Sequence, residues 1–210
     1  MDRFYIYLPG LNLFLMESAL NFIAANTLLE DDLRTYLYST LKTFRPSKGT
    51  ILVREGSIAR TIGFIEKGIV RGFRKKDNGS DVTSFFMREG DVFISIRSFL
   101  EQLPAKETIQ AMEPCIIHGI GYDQYRYAHK TFRHFDALRG DLLEKYYLLG
   151  EERDEMRQLK KKYDRFCFLL EHYPYLIDRV ADKYLASFID TTPEYFSNKK
   201  REYLRKNGHL

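Results

Sequence analysis

The stretch FRPSKGTILVREGSIARTIGFIEKGIVRGFRKKDNGSDVTSFFMREGDVF, residues 44–93, decides how this chain folds. Its glycines separate short runs rich in Ile, Val, Phe and Thr, which is the punctuation of strands and turns. The same texture continues downstream, so that nine of the chain's thirteen glycines fall between Gly49 and Gly121. The expected strands are Ile51–Val53, Thr61–Ile65, Ile69–Phe73, Val82–Met87, Thr108–Met112 and Cys115–Ile120. Asp77, Asn78 and Gly79 supply a hairpin turn, because Asn and Gly tolerate positive φ. Several short strands at close spacing indicate a sandwich or barrel.

Upstream, after an aromatic opening, Leu33, Tyr36, Leu37, Leu41 and Phe44 recur at steps of three and four. This predicts an amphipathic helix, introduced by Glu30, Asp31 and Asp32 at the end where negative charge is favourable. Downstream of about Tyr125 the texture becomes helical, with Leu142, Leu149, Met156 and Tyr163 at successive intervals of seven. Leu138, Tyr146 and Leu159 partly fill the alternate heptad positions. A seam of about 25 residues spans roughly 40 Å at 1.5 Å per residue, more than one sandwich covers. The preferred reading is a two-chain coiled coil with Leu138, Leu142, Tyr146, Leu149 and Met156 at the dimer interface. The alternative is a helix packed on its own barrel.

The tail, Arg179 to Leu204, reads as two short helices separated by Asp190, Thr191 and Thr192. Val180, Tyr184, Leu185, Phe188 and Ile189 give the first an apolar face, and Ala186 is small enough for a second helix to cross closely. Asp190 suits a left-handed turn, and Thr192 caps a helix whose first turn holds Pro193 and Glu194. This is the pattern of a helix-turn-helix, with Phe196 and Tyr203 facing inward. The candidate DNA contacts are Thr192, Glu194, Tyr195, Ser197, Asn198, Lys199, Lys200 and Arg201. Asn198 and Tyr195 are placed at base edges, and Thr192, Lys199, Lys200 and Arg201 at phosphates. A plain helical hairpin closing the fold is the alternative.

The composition bounds the classes open to the chain. In 210 residues, 44% hydrophobic and 15% aromatic content exclude a disordered chain and allow one large domain or two modest ones. No apolar run reaches the roughly 18 to 20 residues needed to cross a bilayer, and no secretory signal pattern opens the chain, so a cytoplasmic location without membrane attachment is expected. Cys115 and Cys167 are too few for a disulfide framework or a multi-cysteine metal site. Of five scattered histidines only His118 lies in the strand-rich zone, where a structural, hydrogen-bonded role is expected. No glycine-rich phosphate loop or nucleophile elbow occurs. No catalytic set, metal or cofactor is therefore expected. The net charge of +4 gives only a weak preference for anionic partners. Basic residues cluster at Arg157, Lys160, Lys161, Lys162 and Arg165, and again at Lys199, Lys200, Arg201, Arg205 and Lys206; such runs are either solvated helix faces or phosphate contacts.

This order of parts resembles the bacterial Crp/Fnr superfamily of transcription regulators, especially the branch common in Bacteroidetes-type bacteria. The resemblance covers roughly residues 30 to 205 and is carried by Lys48-Gly49, Glu55-Gly56, Lys67-Gly68-Ile69-Val70-Arg71 and Glu89-Gly90-Asp91, then by Ala186-Ser187-Phe188 and Thr192-Pro193-Glu194. It implies an α+β chain: N-terminal helices, a cyclic-nucleotide-binding-type β-roll (a jelly-roll-like double-stranded β-helix), a long dimerisation helix and a C-terminal winged helix-turn-helix. The corresponding divisions are residues 1–128, 129–163 and 164–210. The implied partners are double-stranded DNA, a second copy of the chain, RNA polymerase and a small-molecule effector of unassigned identity.

The phosphate-binding cassette departs from the family pattern. Ile94 and Ser95 occupy the glycine-glutamate pair, and the arginine region reads Leu103-Pro104-Ala105-Lys106-Glu107-Thr108. Ser95, Lys106 and Thr108 are the residual candidates for an effector pocket. Lys106 lacks the bidentate fork that grips a cyclic phosphate, and Glu107 repels one, so cyclic AMP and cyclic GMP are not expected as ligands. The reading helix also departs, with Ser197, Asn198 and Lys199 where relatives usually carry a serine, an arginine and an apolar residue. A non-DNA-binding interaction or sensor protein of the same fold is the alternative function.

Overall fold

Eight short strands form two four-stranded antiparallel sheets in the computed structural model, which describes residues 30–206. The first sheet has the order β1 (Lys42–Phe44), β8 (Ile116–Gly121), β3 (Thr61–Lys67) and β6 (Val92–Phe93); the second has β2 (Ile51–Val53), β7 (Thr108–Ala111), β4 (Val70–Lys75) and β5 (Asp81–Met87). The result is a jelly-roll-like sandwich. β4 and β5 pair as a hairpin, with Val70 opposite Met87 and Lys75 opposite Asp81. Gly79 closes its turn at φ +80°, and Asn78 Oδ1 accepts the Ser80 N–H at 3.0 Å. Period-two alternation sends Ile65, Val70, Phe85, Ile109 and Ile117 into the space between the sheets.

The expected strands all occur, with ends moved by one or two residues. β1 and β6 are not legible in the sequence, because Leu41 and Phe44 continue the helical spacing through β1 and the two residues of β6 carry no period. Phe44, expected on the N-terminal helix, lies on β1 instead. That helix, α1 (Asp31–Thr40), opens with the acidic pair Asp31 and Asp32 and buries Leu33 and Leu37. Whatever precedes residue 30 lies outside the described residues. A short helix, α2 (Ile96–Glu101), follows β6, and α3 (Tyr122–Thr131) and α4 (Arg133–Gln158) follow β8. Then come α5 (Lys162–His172), a 3₁₀ turn at Pro174–Leu176, α6 (Asp182–Phe188) and α7 (Pro193–Lys206). Among the described residues no strand follows β8, so the implied wing has no counterpart there.

The heptad seam on α4 is taken up within the chain at Leu138 and Met156 and only in part at Leu142, Tyr146 and Leu149. Leu138 is buried in the barrel core, and Leu142, Tyr146 and Leu149 pack against that core. Met156 is buried in a second core with Phe166, Leu185, Phe188 and Phe196. The Tyr146 hydroxyl, at 2.8 Å, accepts the Val92 N–H and donates to the Val92 carbonyl. Leu138 and Met156 therefore serve the chain's own fold, and the outer face of the first sheet offers Phe64 and Val92, an apolar surface that Leu142 and Tyr146 of α4 cover with part of their side chains. The helix ends at Gln158, so Tyr163 belongs to α5 and is exposed. A different stripe of α4 faces solvent, with Leu143 55%, Tyr147 67% and Leu148 59% exposed.

Candidate functional site

The helices α6 and α7 cross where the sequence places a turn. Asp190 adopts φ +49°, Thr192 Oγ1 accepts the Tyr195 N–H at 3.2 Å, and Thr191 N–H donates to the Ala186 carbonyl at 2.9 Å. Ala186 is fully buried, as close crossing requires, and Phe196 anchors α7 with no exposure. Arg165 holds the turn from α5, donating to the carbonyls of Ile189 at 2.7 Å, Asp190 at 2.9 Å and Leu159 at 2.8 Å. That role is a structural one that a basic cluster does not announce.

The expected DNA contacts do not all point outward. Thr192, Glu194, Asn198 and Arg201 are exposed, with Arg205 continuing the same side of α7. Lys200 is turned inward: its Nζ donates to the Ile177 carbonyl at 2.6 Å and pairs with Asp182 at 3.2 Å. Ser197 donates to the other Asp182 oxygen at 2.6 Å. Lys199 pairs with Glu202 at 2.7 Å, and Tyr195 is half-buried. Tyr203, expected inside, is 39% exposed. The phosphate role assigned to Lys200 is therefore corrected, because an ammonium with two internal acceptors is committed to the packing of the C-terminal helical head, the unit made of α5, α6 and α7.

The head is fastened to the barrel by polar contacts. Arg179 spans two carboxylates, Glu89 before β6 and Glu113 after β7: it reaches Glu89 Oε1 at 2.5 Å and Oε2 at 3.1 Å, and Glu113 Oε1 and Oε2, the latter at 3.4 Å. Burial would raise the Glu89 carboxyl, but the hydrogen bonds from Arg179 and from the Gly68 N–H at 2.8 Å outweigh it and hold it at about 2. Ser187 on α6 docks along β5, accepting the Thr83 N–H at 2.9 Å and donating to the Asp81 carbonyl at 2.8 Å. Beside it the buried Arg71 guanidinium lies between the Phe73 and Tyr184 rings, each centroid 4.0 Å away, and bonds Asp81 at 2.9 Å. Arg71, Glu89 and Ser187 enter the sequence reading only within family motifs and Glu113 not at all, and the contacts of Arg179 and Ser187 are not foreseen there, since nothing local marks a partner 66 to 106 residues away.

The effector candidates are scattered in character. Ser95 is buried at the start of α2, Lys106 is exposed, and Thr108 on β7 accepts the Glu55 N–H at 3.2 Å. Burial raises the Glu107 carboxyl, opposed by the charges of Arg74 and Arg153 and by a hydrogen bond with Ser95. The Phe85 ring lies where a side chain on Gly72 would stand, its nearest atom 2.2 Å from an ideal Cβ, and Arg153 reaches over that ring from α4 at 5.8 Å. His118 is fully buried, with Nε2 2.5 Å from Glu66 and Nδ1 3.1 Å from Thr43, in keeping with a structural histidine. Cys115 is buried, and burial followed by the nearby Glu113 charge pushes its thiol up to about 11, which disfavours the thiolate. Among the described residues no group of three or more His, Cys, Asp or Glu side chains is placed to hold a metal, and no helix is long and apolar enough to cross a membrane.

Residues 44–131, from the end of β1 to the end of α3, match the model of the cyclic nucleotide-binding domain family. Over most of its length the chain also shares its fold with solved regulator structures. The chain is similar to a protein from Eubacterium rectale classed as a transcriptional regulator of the Crp/Fnr family, with 17% identity over 86% of this chain and 85% of that one and a TM-score of 0.66. It is similar also to CLP, the c-di-GMP responsive global regulator of Xanthomonas campestris, with 18% identity, coverage of 83% and 91%, and a TM-score of 0.64. For FixK2 of Bradyrhizobium japonicum the identity is 17%, the coverage 80% and 86%, and the TM-score 0.63. At these identities the likeness is one of fold. No curated protein sequence matches the chain.

Proposed function

We propose that this chain is a cytoplasmic, homodimeric, DNA-binding transcription regulator of Crp/Fnr type, of the branch common in Bacteroidetes-type bacteria, whose effector domain does not use cyclic AMP or cyclic GMP. The observation that carries the reading is α7: a capped helix, anchored by Phe196 and entered through a left-handed Asp190, that presents Glu194, Asn198, Arg201 and Arg205 to solvent. Glu194 and Asn198 lie one turn apart on that face, spaced to read a cytosine amino group and an adenine edge, while Arg201 and Arg205 suit phosphates. Dimerisation is assigned to α4 through the solvent stripe of Leu143, Tyr147 and Leu148, flanked by the half-buried Leu142, Tyr146 and Leu149. Two-fold symmetry then calls for a roughly palindromic site with half-sites about 34 to 36 Å apart.

Selection of bound sequences from a random duplex pool tests this reading. Asn198→Ala should relax preference at particular base pairs at a cost of about 1 to 3 kcal/mol, whereas Arg201→Ala should weaken all duplexes alike and lower the salt slope by about one. If no motif is enriched, and bulk duplex affinity ignores the loss of Arg201 and Arg205, the chain is an interaction or sensor protein of the same fold.

A further inference from the structure

A cavity of about 530 Å³ lies on the outer face of the first sheet, under α1, α3 and α4. Strand alternation puts it outside the β-roll: Ile62 and Phe64 of β3 line it, while Gly63 and Ile65 between and beside them face the interior, where a Cβ on Gly63 would meet Phe93 and Ile117. It is therefore separate from the space between the sheets, where Phe85 packs against Gly72. Val92 and Ile120 extend the floor, and Leu37 and Leu142 close it from the helices. The volume falls in the range of small-molecule sites.

Charge decides what such a site can accept. The ionisable groups that line it are already partnered: Lys145 with Asp91 at 2.7 Å, Arg139 with Asp136 at 2.8 Å and the Tyr125 hydroxyl at 2.7 Å, and His118 with Glu66 at 2.5 Å. Asp141 at the rim has a partner as well. A charged ligand would have to break one of these pairs or enter the apolar space without a counterion, and both are costly. An uncharged ligand does neither, and a space walled by Leu, Ile, Val and Phe gives water too few polar partners to hold it well.

We propose that this outer cavity binds an uncharged, predominantly apolar small molecule, with an aliphatic chain or an aromatic ring along Ile62, Phe64 and Leu142. Because α4 forms one wall and the sheet the other, the ligand favours their docked arrangement and stabilises the fold. The proposal stands independently of DNA binding.

The test uses the full chain and the uncharged dye N-phenyl-1-naphthylamine, which brightens in apolar surroundings. Saturable brightening is expected, with displacement by 1-dodecanol at concentrations at least about tenfold below those needed of dodecanoate or dodecylammonium. Leu142→Trp and Ile62→Phe, which fill the space from the helix side and the sheet side, should each weaken dye binding about tenfold or more while far-UV circular dichroism stays unchanged. Lys145→Ala should leave it within about twofold, because the rim charges take no part. The proposal is overturned if the folded wild type gives no saturable signal, if a charged amphiphile displaces the dye as readily as dodecanol, or if a folded filling variant binds the dye like wild type.

Discussion

Replacing Arg179 by alanine removes the fork that joins the head to the barrel through Glu89 and Glu113. The two carboxylates would then face each other with the Gly68 N–H as the donor left to Glu89. Their side chains are 36% and 24% exposed and that of Arg179 is 32% exposed, so the site lies between a surface pair and a buried one. Exposed pairs contribute up to about 1 kcal/mol and breaking a buried one costs about 3 to 5, so about 2 kcal/mol is expected. For a chain of this size that lowers the melting temperature by about 4 to 8 °C. Calorimetry measures the fall, and amide exchange should show it first in α6 and α7. Adding Glu89→Gln and Glu113→Gln to the Arg179→Ala background should recover part of the loss by relieving the repulsion. The pH sign follows from Glu89, whose folded value of about 2 lies below its ordinary 4.5. Between these values the unfolded chain binds more protons, so stability rises with pH. The contribution is fully present above the ordinary carboxylate range and is lost as pH falls toward about 2; Glu89→Gln should flatten that slope. A melting temperature unchanged by Arg179→Ala, or a loss confined to the barrel, would refute the reasoning.

Two further outcomes test the proposed regulator. Tyr147→Lys with Leu148→Lys should convert the dimer to monomers in sedimentation at micromolar concentration without loss of helix signal, since both side chains face solvent within one chain; a monomeric wild type would sink the dimer assignment. Titration with cyclic AMP or cyclic GMP should give no heat at neutral pH, because Lys106 lacks the bidentate fork that grips a cyclic phosphate and the neighbouring Glu107 repels one. Micromolar binding of either nucleotide would show that Lys106 or Thr108 supplies a phosphate contact after all.

What could be read from the sequence was what depends on neighbours close along the chain. Glycine spacing and the runs of Ile, Val, Phe and Thr between glycines marked six strands and the turn at Asn78 and Gly79, and the three-to-four residue period marked the helix carrying Leu33 and Leu37. The tail was legible for the same reason: Asp190, Thr192 and Pro193 act through their own backbone, and their conformations follow from residue type. Tertiary structure decided the rest. A seven-residue apolar repeat says that Leu142, Tyr146 and Leu149 must be covered, but burial has no direction along the chain, and the outer sheet face of Phe64 and Val92 covers them as well as a second helix would. The charges behaved alike. Lys200 and Arg201 are adjacent and chemically similar, yet a helix turns about 100° between them, so one meets Asp182 and the Ile177 carbonyl while the other meets solvent. Arg179, Glu89 and Glu113 are far apart in sequence, and only the docking of the head brings them within hydrogen-bond distance.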